Sequence, residues 1–523
     1  MGAAVEQRRA VAARSVRALA PACLVAAAAA AQVATTIVRV VDAGPQQLLA
    51  RYMADDAFYY FDIARRFPHL EATPGITTTG FHPLYLAVLV PLFRVVHGMG
   101  AVRTALVLLI CAHAVAGWML FRLLRRRWGA WTAAALAVAW IVSAEMRTLV
   151  LFGLETGLVE VAVLLVLLAC DTRAPATRRR CAAVGAAVGV AFLARNDSVF
   201  VCVPVAAAWA WSRRADLAAQ RQRSWLLGPG AAAAVAAPWA AVLISHGTVL
   251  TDSARALPTL ASRQIGTETA LHWVLSLVAW DFAQGVSDGP LSGPSPTVTT
   301  WAVLVVAVLL AVGHLERRRR GAWDATDIAL LVTAPCLFVL YVVRLHGIRE
   351  WYVVYLAVWL FVAVLPPVVC AAARLVNLDS GVGRLTAGLA AAAATVMAGA
   401  AVAAPPFAVN GQEGHKYQAA VEASTLLGPG AHLASYNSGI YQFFLAPRAV
   451  DNLDGVVNPA VLPFAARGAL CRYITQRGIG WFMDNSLDQL RAQPGVVIGP
   501  VVTLVPPGGP DGLPQLLAQV RGC

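Results

Sequence analysis

The sequence holds a single lysine, Lys416, among 41 basic residues, and charged side chains make up only 13% of its 523 residues. A soluble globular chain carries about 25% charged residues, so the composition excludes a soluble enzyme. No two of the nine cysteines stand at metal-ligand spacing, which argues against a structural zinc site. Seven of them (Cys23, Cys111, Cys170, Cys181, Cys202, Cys336 and Cys370) lie in apolar segments; Cys471 and Cys523 lie in a more polar C-terminal region. There is no glycine-rich phosphate loop and no internal repeat. The net charge of +13 invites a nucleic-acid reading, but the arginines fall in short clusters between apolar runs. That is the pattern of cytoplasmic loops facing anionic lipid, so membrane lipids are the expected partners and nucleic acid is not.

What the sequence does have is apolar length: 59% of its residues are hydrophobic. The stretch 18–38 is uncharged, follows Arg8, Arg9, Arg14 and Arg17, and is long enough for about 30 Å of hydrocarbon, so it reads as an uncleaved first helix rather than a signal peptide. The segment 83–97 is apolar but short, and Pro91 interrupts it. Were it to span, the arginine clusters 122–127, 173–180, 213–223 and 317–320 would all face outward, against the positive-inside bias. It is therefore expected as a juxtamembrane or re-entrant helix at the outer interface. Further spans are expected near 103–122, 130–145, 156–171, 182–195, 198–212, 225–244, 299–314, 325–343, 351–373 and 385–404. The expected fold class is thus an all-α polytopic membrane protein of about 11 transmembrane helices, in the plasma membrane with its N-terminus cytoplasmic.

Residues 1–404 form the transmembrane domain in this reading, with outer loops at 39–102 and 245–298. The pair Pro405-Pro406 marks a boundary, beyond which 405–523 is expected as a small extracytoplasmic α/β domain. Its strand-like runs are 432–435, 448–450, 481–483 and 496–504, with a helical stretch at 416–427. Cys471 and Cys523, an isolated pair in an oxidising compartment, are expected to form a disulfide, unless the chain end frays.

Chemistry is expected on the outer side. Asp55-Asp56 opens a helical pattern just beyond the first span; a first-turn acid favoured by the helix dipole explains one carboxylate better than two. The run Asp55-Asp56-Ala57-Phe58-Tyr59-Tyr60 resembles the first-loop motif of GT-C glycosyltransferases, and Thr79-Gly80-Phe81-His82-Pro83-Leu84-Tyr85 resembles a Thr-Asn-Gly-Phe-His-Pro-Leu-Trp pattern of bacterial members. In the latter, Thr and Tyr replace Asn and Trp. Phe152-Gly153-Leu154-Glu155-Thr156 is similar to a Gly-Met-Glu-Thr/Ser segment, and Leu193-Ala194-Arg195-Asn196-Asp197 to a Thr-Arg-Pro-Asp segment with Asn for Pro. The stretches 247–255 and 347–355 resemble a Gly-x-Leu-x-Pro-Asn-Ser-x-x-Lys and an Arg-Tyr-Tyr-x-x-Pro segment. In the tail, 450–458 is similar to a Val-Asn-Leu-Asp-Gly-Leu-Val-Asn motif.

The resemblance implies an inverting transferase that moves a sugar from a polyprenyl-phosphate donor to an extracytoplasmic glycan, lipid or protein. The family's essential acid falls on Asp55, which is expected as general base, with Asp56 secondary. Substrate-binding roles fall on His82, Glu155, Arg195, Arg255, Arg349 and Tyr352, the arginines as bidentate phosphate clamps. Each has a plainer alternative. Arg195 could pair with Asp197, Arg349 could snorkel or pair with Glu350, and Arg255 could be solvated loop surface. Glu155 could be a helix cap and His82 a structural hydrogen-bonder, while Trp351, Tyr352 and Tyr355 could form an aromatic belt. No cofactor is required; a divalent cation, Mg or Mn, is optional and would fall to Asp55 and Asp56. A polytopic transporter or flippase, and a scaffold with a degenerate site, are the competing readings.

Overall fold

The computed structural model of the chain describes residues 2–173, 175–219, 226–256, 296–321, 323–345, 350–375, 411–507 and 513–523. The expected span at 385–404, most of the second outer loop and Arg349 lie outside the described residues.

Helices occupy the other expected spans. Among the described residues, four are long and apolar enough to cross a membrane: Leu19–Asp42, Gly98–Trp128, Leu227–Ser245 and Trp351–Arg374. Others are shorter, among them Arg178–Ala194 with 17 residues and Val199–Ser212 with 14. Ala130–Val142 has 13 residues and Thr156–Ala169 has 14, about 20 Å each at 1.5 Å per residue. The first stops because Ser143 leaves the helical conformation, and its side chain accepts the Met146 N–H to start the next helix, Ala144–Leu151. The segment expected at the outer interface forms the helix Pro83–Val95, with proline at its first turn and Tyr85, Leu86, Leu89 and Phe93 buried. It packs on the helix Asp55–Arg66, which begins where the acidic pair predicts.

Between these two helices runs a small hairpin of β1 (Glu71–Thr73) and β2 (Ile76–Thr77). The C-terminal region holds a five-stranded sheet of β3 (His432–Ser435), β4 (Ala449–Asn452), β5 (Trp481–Asp484), β6 (Val497–Val505) and β7 (Gln515–Gly522). The strand order is β4-β3-β5-β7-β6. β3 runs parallel to β4 and β5, and β7 pairs antiparallel with β5 and β6. Four of these strands lie within a residue or two of the runs expected from sequence; β7 was not expected. Two apolar clusters cover the sheet, one built on the helix Gly411–Leu426 and one on Leu470–Arg477. Ile440, Phe443 and Val457 leave them and join the large core of the helical region. The tail is thus packed into the rest of the chain as well as onto itself. Cys471 and Cys523 meet side by side as free thiols, so the expected disulfide is not formed here; burial and the neighbouring thiol push Cys523 up to about 12.

Candidate active site

Asp55 and Asp56 occupy the first turn of Asp55–Arg66, where the helix dipole favours negative charge. Being consecutive on a helix, they point in directions about 100° apart, and their surroundings differ accordingly. Asp55 is buried. Its Oδ2 accepts the N–H of Gly439 at 2.9 Å and its Oδ1 that of Ile440 at 3.0 Å, the first amides of the tail helix Gly439–Phe444. The Lys416 ammonium lies 3.4 Å from Oδ1. Asp55, expected as the base, is instead fastened to the tail and does not line the cavity beside it; Asp56 does.

That cavity, of about 110 Å³, lies where the first loop, the ends of several helices and the tail converge. The first loop contributes Asp56, Tyr59, Tyr60, Gly80 and His82. Leu154, Glu155, Arg195, Ser253, Trp351 and Tyr352 form the helical side, and Asn437, Asp454 and Val456 come from the tail. Five residues expected from sequence are therefore brought together: Asp56, His82, Glu155, Arg195 and Tyr352.

The tail wall is held closely. A Cβ on Gly80 would stand 2.0 Å from the Val456 carbonyl oxygen, and one on Gly439 would stand 2.2 Å from the Asp55 carbonyl oxygen. Only glycine permits either approach. The Tyr59 hydroxyl accepts the Ser438 N–H at 3.2 Å and the Asn452 amide at 3.0 Å, and Arg65 donates to the carbonyls of Phe443 and Gln442. Asn452 also accepts the Gly455 N–H at 2.9 Å, and Asp454 Oδ1 accepts the Val456 N–H at 2.8 Å. These bonds fold 452–456 into the turn that brings Asp454 to the cavity. The 450–458 motif is thus a wall-building segment. Its first acid, Asp451, faces the other way, held by His432, Tyr473 and Arg477.

On the helical side, Arg195 is buried between two carboxylates, Glu155 at 3.0 Å and Asp197 at 2.9 Å, and stacks 4.3 Å from the Tyr352 ring centroid. Asp197 also accepts from the Tyr355 hydroxyl at 2.6 Å and from that of Tyr341. Pairing with Asp197 is therefore real, and Glu155 adds to it. Glu155 sits at the N-cap of Thr156–Ala169 without making a side-chain cap bond. Its Oε2 accepts instead from Tyr60 at 3.0 Å, and its Oε1 lies 3.5 Å from His82 Nε2. Burial outweighs that carboxylate and lowers the His82 pKa, so the ring is neutral at pH 7. Its Nδ1 has no hydrogen-bond partner among the described residues. Tyr60, pushed up by burial and then by Glu155, is a committed donor. Trp351 and Tyr352 line the cavity and Tyr355 binds Asp197, so these aromatics are packed inward rather than forming a belt at the lipid interface.

Arg255 is half-exposed, 3.6 Å from Asp252, and is not among the cavity residues. Asp252 instead ties the second outer loop to the first, accepting the Thr79 N–H at 2.7 Å and the Thr78 hydroxyl at 3.1 Å while its own N–H donates to Thr79 Oγ1. A cation held by Asp55 and Asp56 would share Asp55 with the Lys416 ammonium and two amide donors. Among the described residues, no group of three or more His, Cys, Asp or Glu side chains is arranged to hold a metal. Sequence reading did not single out Asp454, Asn437 or Ser253; for Asp454 the signal was present in the 450–458 motif, without a side assigned to it.

Comparison with known protein families finds no match, nor does comparison with curated protein sequences. Solved structures do match. ArnT from Cupriavidus metallidurans, bound to undecaprenyl phosphate, shares 14% identity at a TM-score of 0.53, over 95% of this chain and 97% of its own. The archaeal oligosaccharyltransferase AglB from Archaeoglobus fulgidus, in complex with an inhibitory peptide and a dolichol-phosphate, shares 14% identity at a TM-score of 0.55, over 90% of this chain and 70% of its own. At such identity the likeness speaks for architecture alone, and it extends over nearly the whole molecule: this chain shares the fold of these two solved proteins.

Proposed function

We propose that this chain is a membrane glycosyltransferase that moves a sugar from a polyprenyl-phosphate donor to an extracytoplasmic glycan, lipid or protein, with inversion, and that Asp56 is its base. The observation that carries the reading is the cavity itself. It joins a carboxylate at a helix N-terminus, aromatic faces from Trp351 and Tyr352, and a fixed set of polar groups, in a chain whose fold neighbours were solved with polyprenyl or dolichol phosphates.

In one displacement the acceptor oxygen bonds to the anomeric carbon as the bond from that carbon to the phosphate oxygen breaks. The acceptor proton passes to Asp56, and polyprenyl phosphate departs with the bonding pair. A phosphate leaving group needs no protonation at neutral pH, so the demand falls on the base and on groups that hold the phosphate. Asp56 suits the first role better than Asp55 because it lines the cavity and Asp55 does not. Arg195 is a weaker phosphate clamp than its sequence position suggests, because Glu155 and Asp197 neutralise it; it fixes Glu155 and Tyr352 instead. Arg349, two residues before Trp351, and Arg255, beside Asp252, remain our candidates for phosphate contacts. The site would lie on the outer face of the plasma membrane, with the N-terminus cytoplasmic and the tail outside.

The test is purified protein in lipid nanodiscs supplied with polyprenyl-phosphate sugars. Release of polyprenyl phosphate that depends on an added acceptor, and is lost in Asp56→Asn, supports the reading. Movement of intact donor across a bilayer without release would sink it and favour a transporter.

A further inference from the structure

Asp454 stands in the cavity on the tail side, opposite the arginine that Glu155 and Asp197 already neutralise. The charges around it come from several elements. The helix Asp55–Arg66 presents Asp55, Asp56 and the Tyr59 hydroxyl, and the rest of the lining presents His82, Glu155 and Arg195. Among the described residues, apart from Arg195 and from Lys416, whose ammonium is shared between Asp55 at 3.4 Å and Glu413 at 3.0 Å, every ionisable group in that company is acidic or neutral at pH 7. A phosphodiester entering such a lining meets a surplus of negative charge. Either a cation offsets the surplus or one of the acids is uncharged.

We infer that Asp454 works as a neutral carboxylic acid that donates a hydrogen bond to the donor's phosphate. The inference rests on the polyprenyl-phosphate reading and names a second catalytic residue for it, supplied by the tail. Several observations converge on this. Asp454 Oδ1 accepts the Val456 N–H at 2.8 Å, which fixes the carboxyl at the cavity wall. Burial, with Asp56 and Asp55 nearby, raises its pKa to about 8, despite the opposing bonds from Val456 and Asn452. Below that pH the group removes one negative charge from the cavity and adds a donor; above it, the group repels the phosphate. The proton stays on Asp454 throughout transfer, while the acceptor's proton goes to Asp56, so no additional reactant is needed.

The experiment measures binding of farnesyl methyl phosphate, a diester carrying one negative charge at every pH used, to the full-length protein between pH 7 and pH 9 in the presence of EDTA. If only the acid form binds, affinity follows the protonated fraction and falls about tenfold over that interval. His82, lowered from its usual range, and Tyr59, raised, do not titrate there; Glu413, raised to about 7 by burial in the Lys416–Asp55 cluster, is common to the wild type and the Asp454 variants. Asp454→Asn, a neutral donor of similar shape, should bind with nearly constant affinity across the interval. Asp454→Ala should bind weakly at both ends. Flat binding by the wild type, an Asn variant that keeps the tenfold fall, or binding that appears only when Mg²⁺ replaces EDTA would each overturn the assignment. Failure of the wild type to bind the diester or any polyprenyl-phosphate sugar, with or without Mg²⁺, would instead overturn the polyprenyl-phosphate reading beneath it.

Discussion

Two arginines in this molecule sit between pairs of carboxylates. Arg195 bridges Glu155 and Asp197 beside the cavity. Arg127, near the far end of the long helix Gly98–Trp128, bridges Asp327 at 2.6 Å and Asp324 at 3.2 Å. Both triads are largely buried, and both carry an aromatic neighbour: Tyr352 under Arg195, and Trp128 and Trp323 beside the second triad, where Arg317 stacks on them. The difference is in what surrounds them. At Arg127 the carboxylate of Asp324 also accepts from the hydroxyls of Thr172 and Thr326, fastening one helix end to the next. At Arg195 the same geometry ends in a cavity whose other walls hold Asp56, His82 and Asp454. A buried ion triad by itself is a fastener; chemistry requires the neighbours.

The sharpest break between the two regions is expected from paired carboxylate variants. Asp56→Asn should reduce turnover by roughly 10²–10⁴-fold, the usual consequence of losing a general base, while the thermal midpoint stays near that of the wild type. Asp327→Asn should do the reverse, lowering the midpoint and leaving the turnover of folded protein near normal. Equal losses of turnover in the two would remove the distinction.

Arg195→Gln and Arg127→Gln should look alike in denaturation, each losing about 3 kcal/mol because a buried acidic pair is left without its cation. They should part in steady-state kinetics, where only Arg195→Gln raises the donor KM, through displaced Glu155 and Tyr352. A further contrast separates the acidic neighbours. Asp55→Asn weakens the charged acceptor of two amides and should loosen the tail by about 2 kcal/mol, read as faster hydrogen exchange at Gly439 and Ile440. Its effect on turnover should stay well below that of Asp56→Asn. The smallest perturbation tests sidedness. In a cysteine-free background, His69→Cys should react with an impermeant thiol reagent on intact cells and Arg318→Cys should not. The opposite result would reverse which triad faces outward.

Much of this architecture was legible because apolar periodicity and arginine clusters are local signals. The strand β3 was read to the residue, and the helix after Asp55-Asp56 began where the acidic pair indicated. β7 was missed because Gln515, Gln519 and Arg521 interrupt its apolar residues, and its partners β5 and β6 decide its pairing. The roles of Asp55 and Asp56 could not be separated in sequence, since what divides them is a tail helix more than 380 residues away in the chain. The same holds for Arg195, whose neutralisation depends on Glu155, 40 residues earlier. Asp252 illustrates the third case: a residue given no role beyond its place in the family-like stretch 247–255 turns out to join two loops.

The close fit of Gly80 under Val456 bears on biosynthesis. Every helix that borders the cavity is made before 437–456 leaves the ribosome, yet those residues form one of its walls. Through most of translation the unfinished chain therefore has an open trough where the cavity will be. Substrate sampled by a nascent or truncated chain would meet bulk water rather than a closed chamber. Competence would arrive abruptly, when the late-made wall seats against the first loop, and clipping of the chain before 437 should yield a membrane-inserted but inert protein.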